Sequence, residues 1–184
     1  MGEQKHTYHC NRVSNLPMSD SGPSQVLVTV ALETLTQSPS GAIFGEIAVE
    51  VVEKQFPGPG WNDFVVVVLG WWSRHCTELL RGSNQEAELG FMDGPFSMSV
   101  EVASSRSWTV QFLRRRAVSG PAMTGSQPVP GLPNDLRVAP LAFSRSVALR
   151  GREVLHECSR RGWETPELDS LARANDSLRS ELGM

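Results

Sequence analysis

The residues of this chain best suited to nucleophilic or metal chemistry are its three cysteines and four histidines. His75 and Cys76 are adjacent, as a thiol and its base might be in sequence. Neighbours on a helix, however, point about 100° apart and cannot share a proton as a nucleophile–base pair must. Cys76 therefore reads as a small core residue and His75 as a boundary residue, and His156 with Cys158 fares no better. His6, His9 and Cys10 could open a metal site, but no second ligand pair follows at zinc spacing; a solvated tail explains them equally. Asp93-Gly94 could present a catalytic acid beside a flexible loop, working with a pocket arginine. A turn between two strands accounts for both residues without any chemistry.

The charged residues form two sets. Glu46, Glu50, Glu86, Glu88 and Glu101 (with Glu53 in the same series) give an acidic sheet face, which could bind a basic partner by electrostatic steering or simply be solvated. Arg114-Arg115-Arg116, with Arg106, Arg150, Arg152, Arg160 and Arg161, could grip phosphates. Nucleic-acid binding rests on a strongly basic domain, whereas this chain carries a net charge of −3. The charge is uneven: up to Ala103 there are 12 acids against 5 bases, and from Ser104 onward 8 acids against 12 bases. Two lysines against fifteen arginines read mainly as the coding bias of a GC-rich genome. No Walker loop, GxGxxG, HExxH or GxSxG pattern is present, and no RRM, HTH or KH signature. No cofactor is implied, and no metal.

The elements that must position these residues follow from periodicity. The 184 residues, 40% of them apolar, suit one globular core with looser sequence around it. Residues 1–24 lack periodicity and read as a disordered leader, within which Met18 is an alternative translation start. Residues 1–17 are polar, without the apolar stretch of a signal peptide. An odd, sparse cysteine set fits a reducing compartment, so a cytoplasmic location is expected. The core is expected over 25–117, a Pro/Gly-rich linker or loop over 118–135, and a helical segment over 136–184.

Gln25–Thr36 and Ala42–Glu53 alternate as two strands of a hairpin, with a bulge or an edge position where Glu46, Glu50 and Glu53 break the alternation. Trp61–Arg81 holds the densest apolar sequence. Four consecutive valines from Val65 favour a strand, but the small and polar positions Gly70, Ser73, Thr77 and Arg81 recur near a period of 3.6. That predicts a central helix, capped by Asn62 or Asp63. Its apolar run is far shorter than the roughly 20 residues of a membrane span. Glu86–Phe91, Phe96–Val102 and Trp108–Leu113 alternate as a three-strand meander, covered on one face by that helix. Pro140–Arg161 reads as a helix that Gly151 weakens. Thr165-Pro166-Glu167 opens a last helix with a cap, a proline and an acid. Leu168, Leu171, Asn175, Leu178 and Leu182 form a seam spaced by threes and fours with one polar residue. That is the layout of a dimeric coiled coil, and equally of an amphipathic helix docked on its own domain. The fold expected is α+β in the order ββαβββαα: an antiparallel sheet of about five strands on a central helix, with a C-terminal helical pair.

One pattern resembles a known group. Trp61-Asn62-Asp63-Phe64, the run through Leu69-Gly70-Trp71-Trp72, and Phe91-Met92-Asp93-Gly94-Pro95 are similar to small uncharacterised bacterial proteins in the style of polymorphic-toxin immunity proteins. The resemblance covers roughly 56–100 and carries no catalytic motif. It implies a protein that acts by binding a cognate toxin. The leading expectation is thus a non-enzymatic binding protein of immunity or accessory type, with the five glutamates facing a basic partner. The alternatives are a small enzyme using Asp93 and a dimeric scaffold built on the 168–182 seam. The central-helix reading makes its own prediction: Trp72→Ala or Leu79→Ala should cost about 2–5 kcal/mol in chemical denaturation, and no measurable loss would rule the central helix out.

Overall fold

The computed structural model describes residues 26–116 and 125–184. The elements run β1 (Val26–Gln37), β2 (Ile43–Val51), β3 (Lys54–Phe56), β4 (Asn62–Asp63), α1 (Val65–Arg81), β5 (Glu86–Gly90), β6 (Phe96–Ser104), β7 (Ser107–Arg116), β8 (Gly125–Pro128), β9 (Leu136–Val138), α2 (Pro140–Arg160) and α3 (Pro166–Glu181). The chain is α+β, and the expected order of long elements is present, with four short strands added to it. The leader with Met18, the His6–Cys10 group and residues 118–124 of the expected linker lie outside the described residues. The rest of that linker contributes β8, which pairs with β7.

The hairpin and the meander do not merge. One antiparallel sheet is β1–β2–β3 with β4 also on β2; the other is β5–β6–β7–β8 with β9 also on β7. The reason lies in the hairpin's edges. The outer side of β1 is closed by α2, where the Val28 N–H donates to Ser146 Oγ at 3.2 Å. The far side of β2 is shared between β3 and β4. No edge of the hairpin is left for the meander to join. The two inner faces meet instead through Phe56, whose ring packs edge-on against Phe91, Phe96 and Phe112 at 5.0–5.8 Å.

The β1–β2 register shifts between Ala31 and Thr36; Glu46 and Glu50 keep the alternation of β2, and Glu53 breaks it because it lies in the turn after the strand, at φ +62. Thr34 Oγ1 donates to the Ala31 carbonyl at 2.7 Å and accepts from the Glu46 N–H at 2.8 Å, so it replaces ladder bonds the bulge breaks. Arg161 caps two carbonyls on the bulged strand, those of Leu32 (2.9 Å) and Leu35 (2.5 Å). Its guanidinium lies 5.0 Å from the Trp163 ring centroid and bonds Glu157 at 2.6 Å. A Cβ on Gly45 would sit 2.6 Å from Leu35 Cδ2, so the buried Leu35 needs a glycine opposite it.

The four valines form the first turn of α1, because burial on nearly every side outweighs their strand preference. The small, polar side of α1 is not a solvent face: Gly70, Ser73 and Thr77 are buried, and the Leu171 backbone lies 3.8 Å from where a Gly70 Cβ would be. Small side chains there let α3 approach closely. Gly151 has the same role on α2, since its Cβ would fall 2.8 Å from Asn175 Oδ1. α3 begins as expected, with Thr165 Oγ1 accepting from the Leu168 N–H. All five seam residues are buried in this chain's core, which matches docking on its own domain. One continuous apolar cluster links the sheets, α1, α2 and α3.

Arg160 and Arg161 both donate to Glu157, and together hold its carboxyl down at about 2. A depressed carboxylate stabilises the fold above its unfolded pKa, near 4.5, and that contribution is lost as pH falls toward 2. Glu157→Gln should therefore flatten the acid limb of stability between pH 4.5 and 2 in urea titrations. An unchanged limb would show that the pair does not stabilise the fold.

Candidate functional site

Asp63 is a buried carboxylate held by four hydrogen bonds. It sits in β4, one residue ahead of the α1 N-cap, and is fully buried. Oδ1 accepts from the Phe64 N–H at 2.7 Å and the Asp93 N–H at 3.0 Å. Oδ2 accepts from Trp61 Nε1 at 3.2 Å and the Met92 N–H at 3.1 Å. Burial pushes the carboxyl's pKa up, while the indole and backbone donors pull against that rise. Asp63 is not the side-chain cap of α1: the N-cap is Phe64, which makes no side-chain cap bond. With both oxygens doubly occupied, the group has no lone pair directed at a substrate. It fastens residues 61–64 to the β5–β6 turn.

That fastening unites the two separated stretches, 61–64 and 91–95. Trp61 packs on Phe96 at 5.2 Å and Phe91 at 6.5 Å, and Trp72 on Phe91 at 5.1 Å. Gly94 has φ +87, and a Cβ on it would lie 2.9 Å from Trp61 Cη2, so both backbone and space require glycine. Asp93 is exposed at the tip of this turn, uses its N–H to hold Asp63, and forms no ion pair among the described residues. The turn reading accounts for it. Sequence reasoning treated Asp63 only as a cap. The available signal was an acid enclosed by Trp61 and Phe64 at the mouth of an apolar run.

The five glutamates divide between the two sheets. Glu46 and Glu50 lie on the outer face of β2, beside Ala31 and Asn62 and beside Leu27 and Gln55 respectively. An open cleft bounded by Leu27, Glu50, Glu53 and Pro57 lies beside Glu50. Glu86, Glu88 and Glu101 occupy the outer face of the meander and are exposed. Since the inner faces share one core, these are two separate acidic surfaces. On the second, Arg115 donates to Glu88 at 2.7 Å and holds its carboxyl below the usual range. Glu86 and Glu101 are direct cross-strand partners, and neither forms an ion pair among the described residues.

The remaining candidates are accounted for by packing. Burial pushes the Cys76 thiol up to about 12 and that of Cys158 to about 11, so neither is a thiolate near neutrality. His75 Nδ1 meets Glu78 Oε2 at 3.3 Å along the helix surface. Arg114 lies over the Phe96 ring while Arg115 turns to Glu88. Arg150 pairs with Glu153, and Arg160 and Arg161 with Glu157, so much of the expected anion grip is neutralised within the chain. Among the described residues, no three His, Cys, Asp or Glu side chains come together as a metal site, and no helix is long and apolar enough to cross a membrane.

No family model, curated protein or solved structure matches the chain.

Asp63→Asn tests the fastening directly. An amide has one acceptor oxygen and turns an NH2 toward two N–H donors, leaving buried donors unpaired. The expected loss is about 1–3 kcal/mol in chemical denaturation. A loss within about 0.5 kcal/mol, the range of ordinary surface substitutions, would show that the four bonds are dispensable.

Proposed function

We propose that this chain is a non-enzymatic binding protein of immunity or accessory type, and that its acidic outer sheet face engages a basic protein partner. The observation that carries the reading is the Glu86–Glu101 pair. Like charges directly opposite across two strands cost roughly 0.2–1 kcal/mol, and neither carboxylate forms an ion pair among the described residues. Glu88 adds a third carboxylate on the same face, partly neutralised by Arg115. Uncompensated charge on an exposed face speeds encounter with an oppositely charged protein, and does so less as salt rises.

Glu46 and Glu50 extend the acidity to a second surface, so we assign the primary contact to Glu86, Glu88 and Glu101. The immunity-type reading rests on the resemblance of residues 56–100, since such proteins act by binding a cognate toxin. A reducing, cytoplasmic setting fits the two buried free thiols.

The test is affinity capture from host lysate at low and high salt, with wild type and a Glu86→Lys/Glu101→Lys variant. Wild type should retain one stoichiometric basic protein at low salt and release it at high salt. The variant should not retain it, while its own stability stays within about 0.5 kcal/mol of wild type, because one like-charge pair replaces another. Equal retention by both proteins, insensitive to salt, would exclude this face.

A further inference from the structure

We infer that the free edge of β5 takes up an extended segment of the partner as an added strand, with Lys or Arg at alternate positions beside Glu86 and Glu88. This rests on the binding reading above and adds its mode. The register fixes which backbone groups are free. The Val102 N–H donates to the Gln85 carbonyl at 2.8 Å and the Phe91 N–H to the Phe96 carbonyl at 3.0 Å. Alternation between these pairs turns the main chain of Ala87 and Leu89 toward β6, and that of Glu86, Glu88 and Gly90 away from it. Trp72 Nε1 confirms the direction by donating to the outward Gly90 carbonyl at 2.9 Å. Among the described residues, β5 has no strand on that side. The N–H and C=O of Glu86 and Glu88 are therefore offered to an incoming strand, the geometry that β-strand addition uses.

Charge selects the occupant. The side chains of Glu86 and Glu88 stand on the outer face with Glu101, because Ala87 and Leu89 take the inner one. A strand laid beside β5 places every second side chain next to these carboxylates. A second copy of this chain pairing edge to edge would bring glutamates against glutamates, which such edges use to avoid self-association. A strand with cations at alternate positions meets attraction instead.

The experiment titrates a Lys-Val-Lys-Val-Lys peptide, acetylated and amidated, into the full chain at low salt, by calorimetry. A second peptide has the same side chains with alternate backbone amides N-methylated, which keeps the charge and removes the strand's hydrogen bonds. The parent should bind, and the methylated peptide should bind at least about tenfold more weakly. Glu86→Pro removes an N–H that points away from β6, a position an edge strand tolerates. It should weaken the parent peptide similarly while leaving the thermal midpoint near wild type. Equal binding of both peptides would overturn strand addition and leave the acidic face standing. No binding of the lysine peptide would overturn both.

Discussion

The carboxylate of Asp63 is the point on which the two halves of this fold depend. A buried charge is costly unless its lone pairs are filled, and here four N–H groups fill them, two on each oxygen. Two of the donors, at Trp61 and Phe64, belong to the segment that leads from the first sheet into α1. The other two, at Met92 and Asp93, belong to the turn of the second sheet. The two sheets share no ladder, so this carboxylate is a polar tie between them beside the aromatic contacts of Phe56 and Trp61. It also sets the direction in which α1 leaves β4, a task a side-chain cap would otherwise have. Gly94 follows from the same constraint, because the turn must pass close under the Trp61 ring while its N–H groups aim at Asp63.

The helical layer depends on closeness rather than on apolar bulk. Gly70 on α1 faces the Leu171 backbone of α3, and Asn175 of α3 is pressed against Gly151 on α2. Interiors are close-packed, so a methyl group at Gly151 would have to displace a buried amide. A glycine that lowers intrinsic helix propensity by about 1 kcal/mol is retained because the crossing needs the space. The polar residue in the leucine seam thus packs against Gly151 within the same chain, its Oδ1 buried without a hydrogen-bond partner among the described residues.

Much of the architecture could be read from residue pattern, and the failures have physical causes. The meander was legible because Ala87, Leu89, Met98, Val100, Val110 and Phe112 alternate strictly, and α3 because Thr165, Pro166 and Glu167 are each suited to their places. The strands β3, β4, β8 and β9 have two to four residues, too few to show any period. Alternation along a strand tells which side a residue faces, but not which sheet the strand joins. That is why Glu46 and Glu50 were grouped with Glu86, Glu88 and Glu101. Sheet membership is decided by edges, through contacts such as Val28 with Ser146 that lie more than a hundred residues apart. Asp63 was hidden for the same reason: its local neighbours suit a cap, and only the distant turn at 92–93 reveals the second pair of donors.

The same edge contacts explain why charge sits where it does. α2 closes β1, β3 and β4 close β2, and β8 and β9 share the far side of β7. The Gly90 carbonyl is taken by the Trp72 indole, which ends the open part of β5 at its C-terminal side. What remains is a short length of backbone carrying two glutamates, with a third across the ladder. An uncovered edge with apolar side chains would recruit any strand, including its own copies. Covering it would have been possible with one more residue pair, as β4 does for β2. On the proposed binding mode, the acidic edge would favour backbone hydrogen bonding to a chain that also neutralises Glu86 and Glu101. On the binding reading proposed above, a cross-strand repulsion that weakens the isolated fold slightly would make the open edge discriminate between partners by charge.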